Sequence, residues 1–478
     1  MSQTRGLGDW AVRRLGGSAV RNQLIVLTLS LLTFPFAPLE AQALTSLTIY
    51  NDGRTLVRWT APLDLAKGQS TQVAVTGPTD PGTIFSLDPD VTILSGAYDA
   101  GMDEQSALRR SVGRRLSFRY GKDTVSATVI GTDPVRYKLA DGSVTFQPPG
   151  TPQYPADVVT TDPRYELTLT TTKARKGLPL GYFAAGAAWS ASYQVILGEA
   201  GGARVLGQAV VNGGPLRIKD AEIQLLAGQV NVVVSPGDYR PRAEGMVMAK
   251  AADEARAMPS EDKVGEFHLY TLPGNWSLEP GIVRTIALFQ PTLAKVAKSF
   301  ELRGRISYWG GLPQYGTEEE VPVNVLYTVS RARKTDLGDR PLPGGVVRLF
   351  DPDSAGRLQL VGEAAINHSA AGADLRLDAG TAFDVTAKRI QTTYSTRRDS
   401  LAPGGGWRTI ATADYKVTID NGGDQPVTVT VLEERGGEWS IVSSSVKAMK
   451  LSATRTGFAL PVPAKGKATL TYKVRVIW

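Results

Sequence analysis

The chain holds two histidines and no cysteine, so the side chains able to act as bases, nucleophiles or metal ligands are few. His268 stands in an alternating, strand-like run, and His368 in the loop Asn367-His368-Ser369. A general base or a zinc ligand needs partners that sequence spacing does not supply here, and both histidines read as ordinary surface or rim residues. Asp351-Pro352-Asp353-Ser354-Ala355-Gly356 begins like a calcium loop, but the twelfth position is Gly362, and Glu363 comes one place late. Without that bidentate carboxylate a hairpin turn is the better account. Ser444-Ser445-Val446-Lys447 has the Ser-x-x-Lys spacing of one nucleophile class. That chemistry sets both groups on one helical face, whereas this stretch reads as extended. The sequence carries no nucleophile elbow, phosphate-cradling glycine loop or zinc-binding helix motif. No catalytic residue, metal site or cofactor is expected, and the chain reads as non-enzymatic.

Aromatic side chains offer the one constellation suited to binding. Tyr308, Trp309 and Tyr315 flank Gly310-Gly311 in a loop context that favours exposure, so these three are the candidate binding residues. Trp189 and Tyr193 are four apart in a strand pattern and share a face, where packing against a partner sheet is the commoner role.

The elements that must hold these residues are strands. Period-two alternation dominates, helical periodicity is nearly missing, and the fold class is all-β: several antiparallel β-sandwich or small-barrel domains in tandem. Residues 1–43 read as an export signal. Arg5, Arg13, Arg14 and Arg21 lead into the apolar run Leu24 to Phe36, and Ala41-Gln42-Ala43 gives a small-x-small cleavage site. That run is too short for a spanning helix, which needs roughly 20 apolar residues, and the mature chain contains no better one. An exported protein, periplasmic or associated with the cell surface, is the expectation. The absence of cysteine fits a chain large enough to be stable without cross-links.

Residues 44–111 form a first β domain opening on a hairpin around Asn51-Asp52-Gly53, with a short helix near Asp103 to Ser111. Residues 112–155 form a small barrel-like segment ending in a proline-rich connector, where each proline fixes φ and lacks an amide donor. A central sandwich region follows over 156–400, with a mobile insertion near 240–262, and a C-terminal sandwich over 401–478. The formal charge is +7. Its basic pairs, Arg109-Arg110, Arg114-Arg115 and Arg397-Arg398, are scattered rather than gathered on one face, so no nucleic-acid partner is expected.

Several segments resemble the family called domain of unknown function 4139. They are Ala187 to Tyr193, Val211-Asn212-Gly213-Gly214, Leu225 to Gly228, His268 to Pro273, Pro341 to Phe350 and Ala382-Phe383-Asp384-Val385, in the family's order. Ile49 to Gly53 and Val57 are similar to the N-terminal domain of mucoidy-inhibitor-like proteins, although the long coiled coil usual there is replaced by the small β segment. The resemblance implies a bacterial, exported, all-β cell-envelope protein and brings no catalytic residues with it.

The last strand alternates Leu470, Tyr472, Val474, Val476 and Trp478 with Thr471, Lys473, Arg475 and Ile477, which is similar to the terminal signal of outer-membrane barrels. The upstream strands are shorter and less uniform than membrane strands of about 10 residues, so a soluble sandwich is the preferred reading. The functional expectation is a binding or structural role toward an envelope protein or a glycan, with the oligomeric state open. The alternatives are an outer-membrane barrel and a hydrolase built on paired carboxylates.

Overall fold

The computed structural model describes residues 45–231, 258–305, 316–400 and 406–478. The segment read as an export signal, residues 240–257 of the expected insertion and the candidates Tyr308, Trp309 and Tyr315 lie outside them. The described chain is all-β, as the alternation requires. Arg164–Thr171 and Gly466–Ile477 bury every second side chain, the pattern by which a pleated strand turns one face to a core. The turn expected at Asn51-Asp52-Gly53 joins Thr45–Tyr50 to Arg54–Leu65, with Gly53 at φ +88°, where a Cβ would be strained. The one described α-helix, Glu104–Arg110, is capped by Asp103, whose Oδ1 accepts from the Ser106 amide at 2.8 Å.

The sheets are not purely antiparallel. Among the described residues three pairings are parallel: Thr45–Tyr50 with Ile218–Ala227, Ala188–Leu197 with Gly345–Pro352, and Val283–Arg305 with Val427–Glu434. Such pairings bring together segments distant in sequence, so the sheets cross the boundaries expected from composition. The first hairpin shares a seven-stranded sheet with Arg175–Ala185, Ile218–Ala227 and Phe267–Leu278, on the far side of the boundary placed near residue 155. Likewise Val385–Ser400 forms a hairpin ladder with Trp407–Asn421, so the C-terminal sandwich starts well before residue 401. The last residues of the expected insertion belong to a strand. Ser260–Val264 pairs with Phe267–Leu278, but as a fully exposed, charge-rich edge strand it has no apolar alternation to announce it. Residues 115–153 do form a sheet of their own, with five strands in open order over the small core of Leu116, Phe118, Ala127, Val129 and Tyr137.

Two larger cores remain. One gathers Leu47, Ile49, Trp189, Tyr193, Leu225 and Val347 with their neighbours; the other lies between the Val385–Ser400, Trp407–Asn421, Gly466–Ile477 sheet and the strands Val427–Glu434 and Arg455–Val462. Each fully buried Leu, Val or Ile in them contributes roughly 1.5 to 3 kcal/mol relative to exposure. The 23-residue strand Val283–Arg305 joins the two. Its first half pairs with Gly202–Asn212 beside the first core, and its second half with Val323–Val329, which itself runs from the second core at Val323 to the first at Tyr327 and Val329, and with Val427–Glu434 beside the second.

Candidate functional site

Where the long strand passes from one core to the other, a cleft of about 510 Å³ opens. Its floor is set by register. Lys298 lies opposite Tyr327 and Phe300 opposite Val325, and the Lys298 ammonium sits 5.4 Å from the Phe300 ring centre and 5.9 Å from that of Tyr327. Burial, with the Asp351 charge nearby, holds the Tyr327 phenol above its ordinary pKa. The lip is the loop between Leu375–Thr381 and Val385–Ser400, which carries Phe383 and Asp384. This loop is tied at both ends: the Ala382 amide donates to the Val323 carbonyl at 2.7 Å, and the Asp384 carbonyl accepts from Gly422 N–H at 2.7 Å. The Gly422 side is braced in turn by fully buried Asn421, whose Nδ2 donates to the Gln425 and Pro463 carbonyls and whose Oδ1 accepts from Gly423. Phe383 is thereby held 95% exposed. A ring kept in water by a fastened loop, at the mouth of a cleft with further aromatic walls, is a preorganised contact surface. Asp351, Asp384 and Asp424 also line the cleft and supply acceptors, Asp424 already paired with Lys465 at 3.0 Å.

The other segments of the resemblance converge on the first core. Trp189 Nε1 donates to the Leu226 carbonyl, Asn51 Nδ2 to the Trp189 carbonyl, Tyr193 OH to Pro343 and Tyr270 OH to Pro341. Fully buried Arg331 binds the same loops: Nη1 donates to Ser369 Oγ at 2.8 Å and to the Ala370 and Ala373 carbonyls, Nη2 to Arg340 and Nε to Leu337. These groups fasten chain to chain. Burial raises the Tyr193 and Tyr270 phenols and lowers Arg331, whose charge is held by carbonyl dipoles.

The sequence candidates for reaction chemistry are each engaged in other contacts. His268 Nδ1 meets Glu261 Oε1 at 2.9 Å on a strand edge, while His368 Nδ1 accepts from the Gly344 amide at 3.1 Å beside a second cleft of about 480 Å³. Asp353 closes the hairpin turn, its Oδ1 accepting from the amides of Ala355 and Arg357. Ser444 ends a strand and donates to the Val446 carbonyl at 2.6 Å, so its hydroxyl serves the turn. Among the described residues no three acidic or histidine side chains are grouped to hold a metal ion.

One titratable cluster was invisible in the sequence. Inside the second core, Arg389 Nη2 donates to Glu433 Oε1 at 3.1 Å, to Oε2 at 3.2 Å and to Tyr472 OH at 3.2 Å; Tyr472 OH donates to Glu433, and the guanidinium lies 4.2 Å from the Tyr415 ring centre. Burial raises Glu433 against the opposing pull of Arg389 and Tyr472. Burial is also the largest influence on Arg389 and lowers it, but the Glu433 charge together with Tyr472 and Tyr415 outweighs it and leaves the arginine raised. Sealed from water, the cluster joins two sheets. The cleft residues Lys298, Phe300, Tyr327 and Asp351 were missed because they come from separate strands; Phe383 stood in a quoted segment with nothing to mark it as exposed.

No family model, curated protein or solved structure matches the chain.

Proposed function

We propose that this is an exported protein of the cell envelope, of the kind the 4139 resemblance implies, which binds an envelope glycan without transforming it. The seat is the cleft between the two cores. The observation that carries this reading is Phe383, held in solvent by a loop fastened on both sides, with Phe300 and Tyr327 behind it and carboxylates along the rim. Aromatic faces pack against the apolar faces of sugar rings, while carboxylate oxygens accept from hydroxyls. Pockets also form preferentially where two packed units meet. Calorimetric titration of the protein with oligosaccharide fragments of envelope polymers tests the reading. Phe383→Ala should weaken binding about tenfold, since a good aromatic contact contributes roughly 1.5 kcal/mol, and should leave the melting temperature unchanged because the ring packs against little. Binding by no fragment, or equal binding by the variant, overturns it.

A second reading, a carboxylate-based hydrolase, draws on Asp351 and Asp384 sharing this cleft. Time-dependent cleavage of a bound fragment, lost in Asp384→Asn, would favour it. The rival placement as an outer-membrane barrel predicts heat-modifiable migration and membrane retention, whereas the proposed one predicts detergent-free recovery from the periplasmic or secreted fraction.

A further inference from the structure

The small sheet of residues 115–153 turns one face to its own core and the other to solvent. Leu116, Phe118, Ala127, Val129 and Tyr137 form that core, and Leu108 of the helix and Tyr154 pack over it. Alternation therefore sends Arg115 and Arg119 outward from Arg115–Tyr120, and Arg136 and Lys138 outward from Val135–Leu139. The registers agree. Arg115 lies opposite Thr128, which lies opposite Lys138, while Arg119 lies opposite Thr124. Between these two strands runs Asp123–Thr132, whose outward side chains Thr124, Ser126 and Thr128 are short hydroxyls. The outer face is thus a trough about 10 Å wide, two strand spacings, with a hydroxyl floor and two long cations on each bank. Arg136 leans over its end at Gly131, where a Cβ would stand 2.6 Å from the guanidinium, so glycine leaves it room.

The registers place no carboxylate in this trough. All four cations are exposed, and among the described residues none has an ion-pair partner, although Arg114 next to Arg115 pairs with Asp157. The C-terminal sheet treats its exposed lysines differently. Lys467 stands opposite Asp420 at 2.7 Å and Lys473 opposite Asp414 at 3.4 Å across one ladder. With 46 acidic residues the chain could have done the same here. Unpaired like charges on one face repel one another, so the trough keeps a positive field that an anion would satisfy. Residues 45–231 are described without a break, so the segments flanking the sheet are in place and leave this face open.

The spacing points to a polymer. Arg115 and Arg119 stand about 13 Å apart at about 3.3 Å per residue, too far for one small anion to bridge. Phe118, Tyr120 and Tyr137, the aromatics that could stack the bases of single-stranded nucleic acid, belong to the opposite face, and a hydroxyl floor has no apolar body to enter a bilayer. Hydroxyls between cations match instead a chain of hydroxylated rings bearing acidic groups. We propose that this trough binds a strand of acidic polysaccharide. It shares no residue with the cleft between the two larger cores.

Affinity electrophoresis of the full chain through polygalacturonate tests the proposal. Binding should be lost on the methyl ester, whose rings are the same and whose charge is gone, and should weaken as salt shortens the screening length. Arg115→Gln combined with Lys138→Gln should lower affinity about tenfold, since two charge-assisted contacts go. Lys388→Gln combined with Lys467→Gln removes the same charge from the C-terminal sheet and should leave binding unchanged. Melting curves check folding, and if the first pair proves unstable Arg119→Gln with Arg136→Gln decides. No binding to polygalacturonate, equal binding to its methyl ester, the same loss in both double variants, or tighter binding of single-stranded DNA would each overturn it.

Discussion

Replacing Arg389 by Met removes the guanidinium and keeps an apolar stem of similar length, leaving Glu433 fully buried with only the Tyr472 hydroxyl beside it. Taking one partner from a buried pair costs about 3 to 5 kcal/mol, because the remaining charge has lost its compensation in a medium that solvates it poorly. Replacing both, Arg389→Met with Glu433→Leu, removes the two desolvated charges together. The double variant should return to within about 1 to 2 kcal/mol of the parent, the residue being the Tyr472 hydroxyl left without an acceptor. Urea unfolding followed by circular dichroism and by total tryptophan fluorescence, to which Trp439 beside this core contributes, gives the four corners of the cycle. The pH dependence supplies an independent sign. Burial raises the Glu433 carboxyl above its ordinary 4.5, so its contribution is fully present below that value and is lost as pH rises through the raised one. Without Arg389 the charged form loses its main attraction and the carboxyl moves higher still. The deficit of Arg389→Met should therefore be smaller at pH 5 than at pH 8. A single-variant loss under about 1 kcal/mol, a deficit that does not change with pH, or a double variant as unstable as the single would refute the reasoning.

Gly345 pairs in parallel with Ala191, and a Cβ there would stand 2.0 Å from the Ala191 carbonyl oxygen. Gly345→Ala should cost about 3 kcal/mol, the upper end of ordinary overpacking, because backbone cannot swing aside; a melting temperature matching the parent would contradict this. His368 is held below its ordinary 6.5, first by desolvation and then by the His268 charge, although its ring still reaches solvent. Its folded-state value being depressed, its stabilising contribution is present above 6.5 and lost as pH falls through the lowered value. Proton NMR should give the His368 ring a midpoint below 6.5, and a midpoint at or above it would show that the Gly344 amide bond does not favour the neutral ring.

Local signals were legible where one residue's conformation or one face decided the outcome. Asn51-Asp52-Gly53 turned because Gly53 takes a positive φ, Asp103 capped the helix because its carboxylate reaches the Ser106 amide, and Leu470 to Val476 read as a half-buried strand because alternate side chains meet a core. Ser260–Val264 was missed for the converse reason: an edge strand exposed on both faces has no apolar period to display. Of the site, Phe383 was in view as a residue but not as an exposed one, since its exposure comes from bonds its loop makes to Val323 and Gly422, distant in sequence.

By itself the sequence determined that this chain folds as sheets, where most strands begin and turn, and which side of each seeks a core, because period-two alternation and turn chemistry act within a few residues. Only the tertiary structure decided which strands lie side by side. Any strand presents the same ladder of amides and carbonyls, so Thr45–Tyr50 finds Ile218–Ala227, and Arg389 finds Glu433, through burial across long sequence separations. The cleft between the cores is a consequence of that choice.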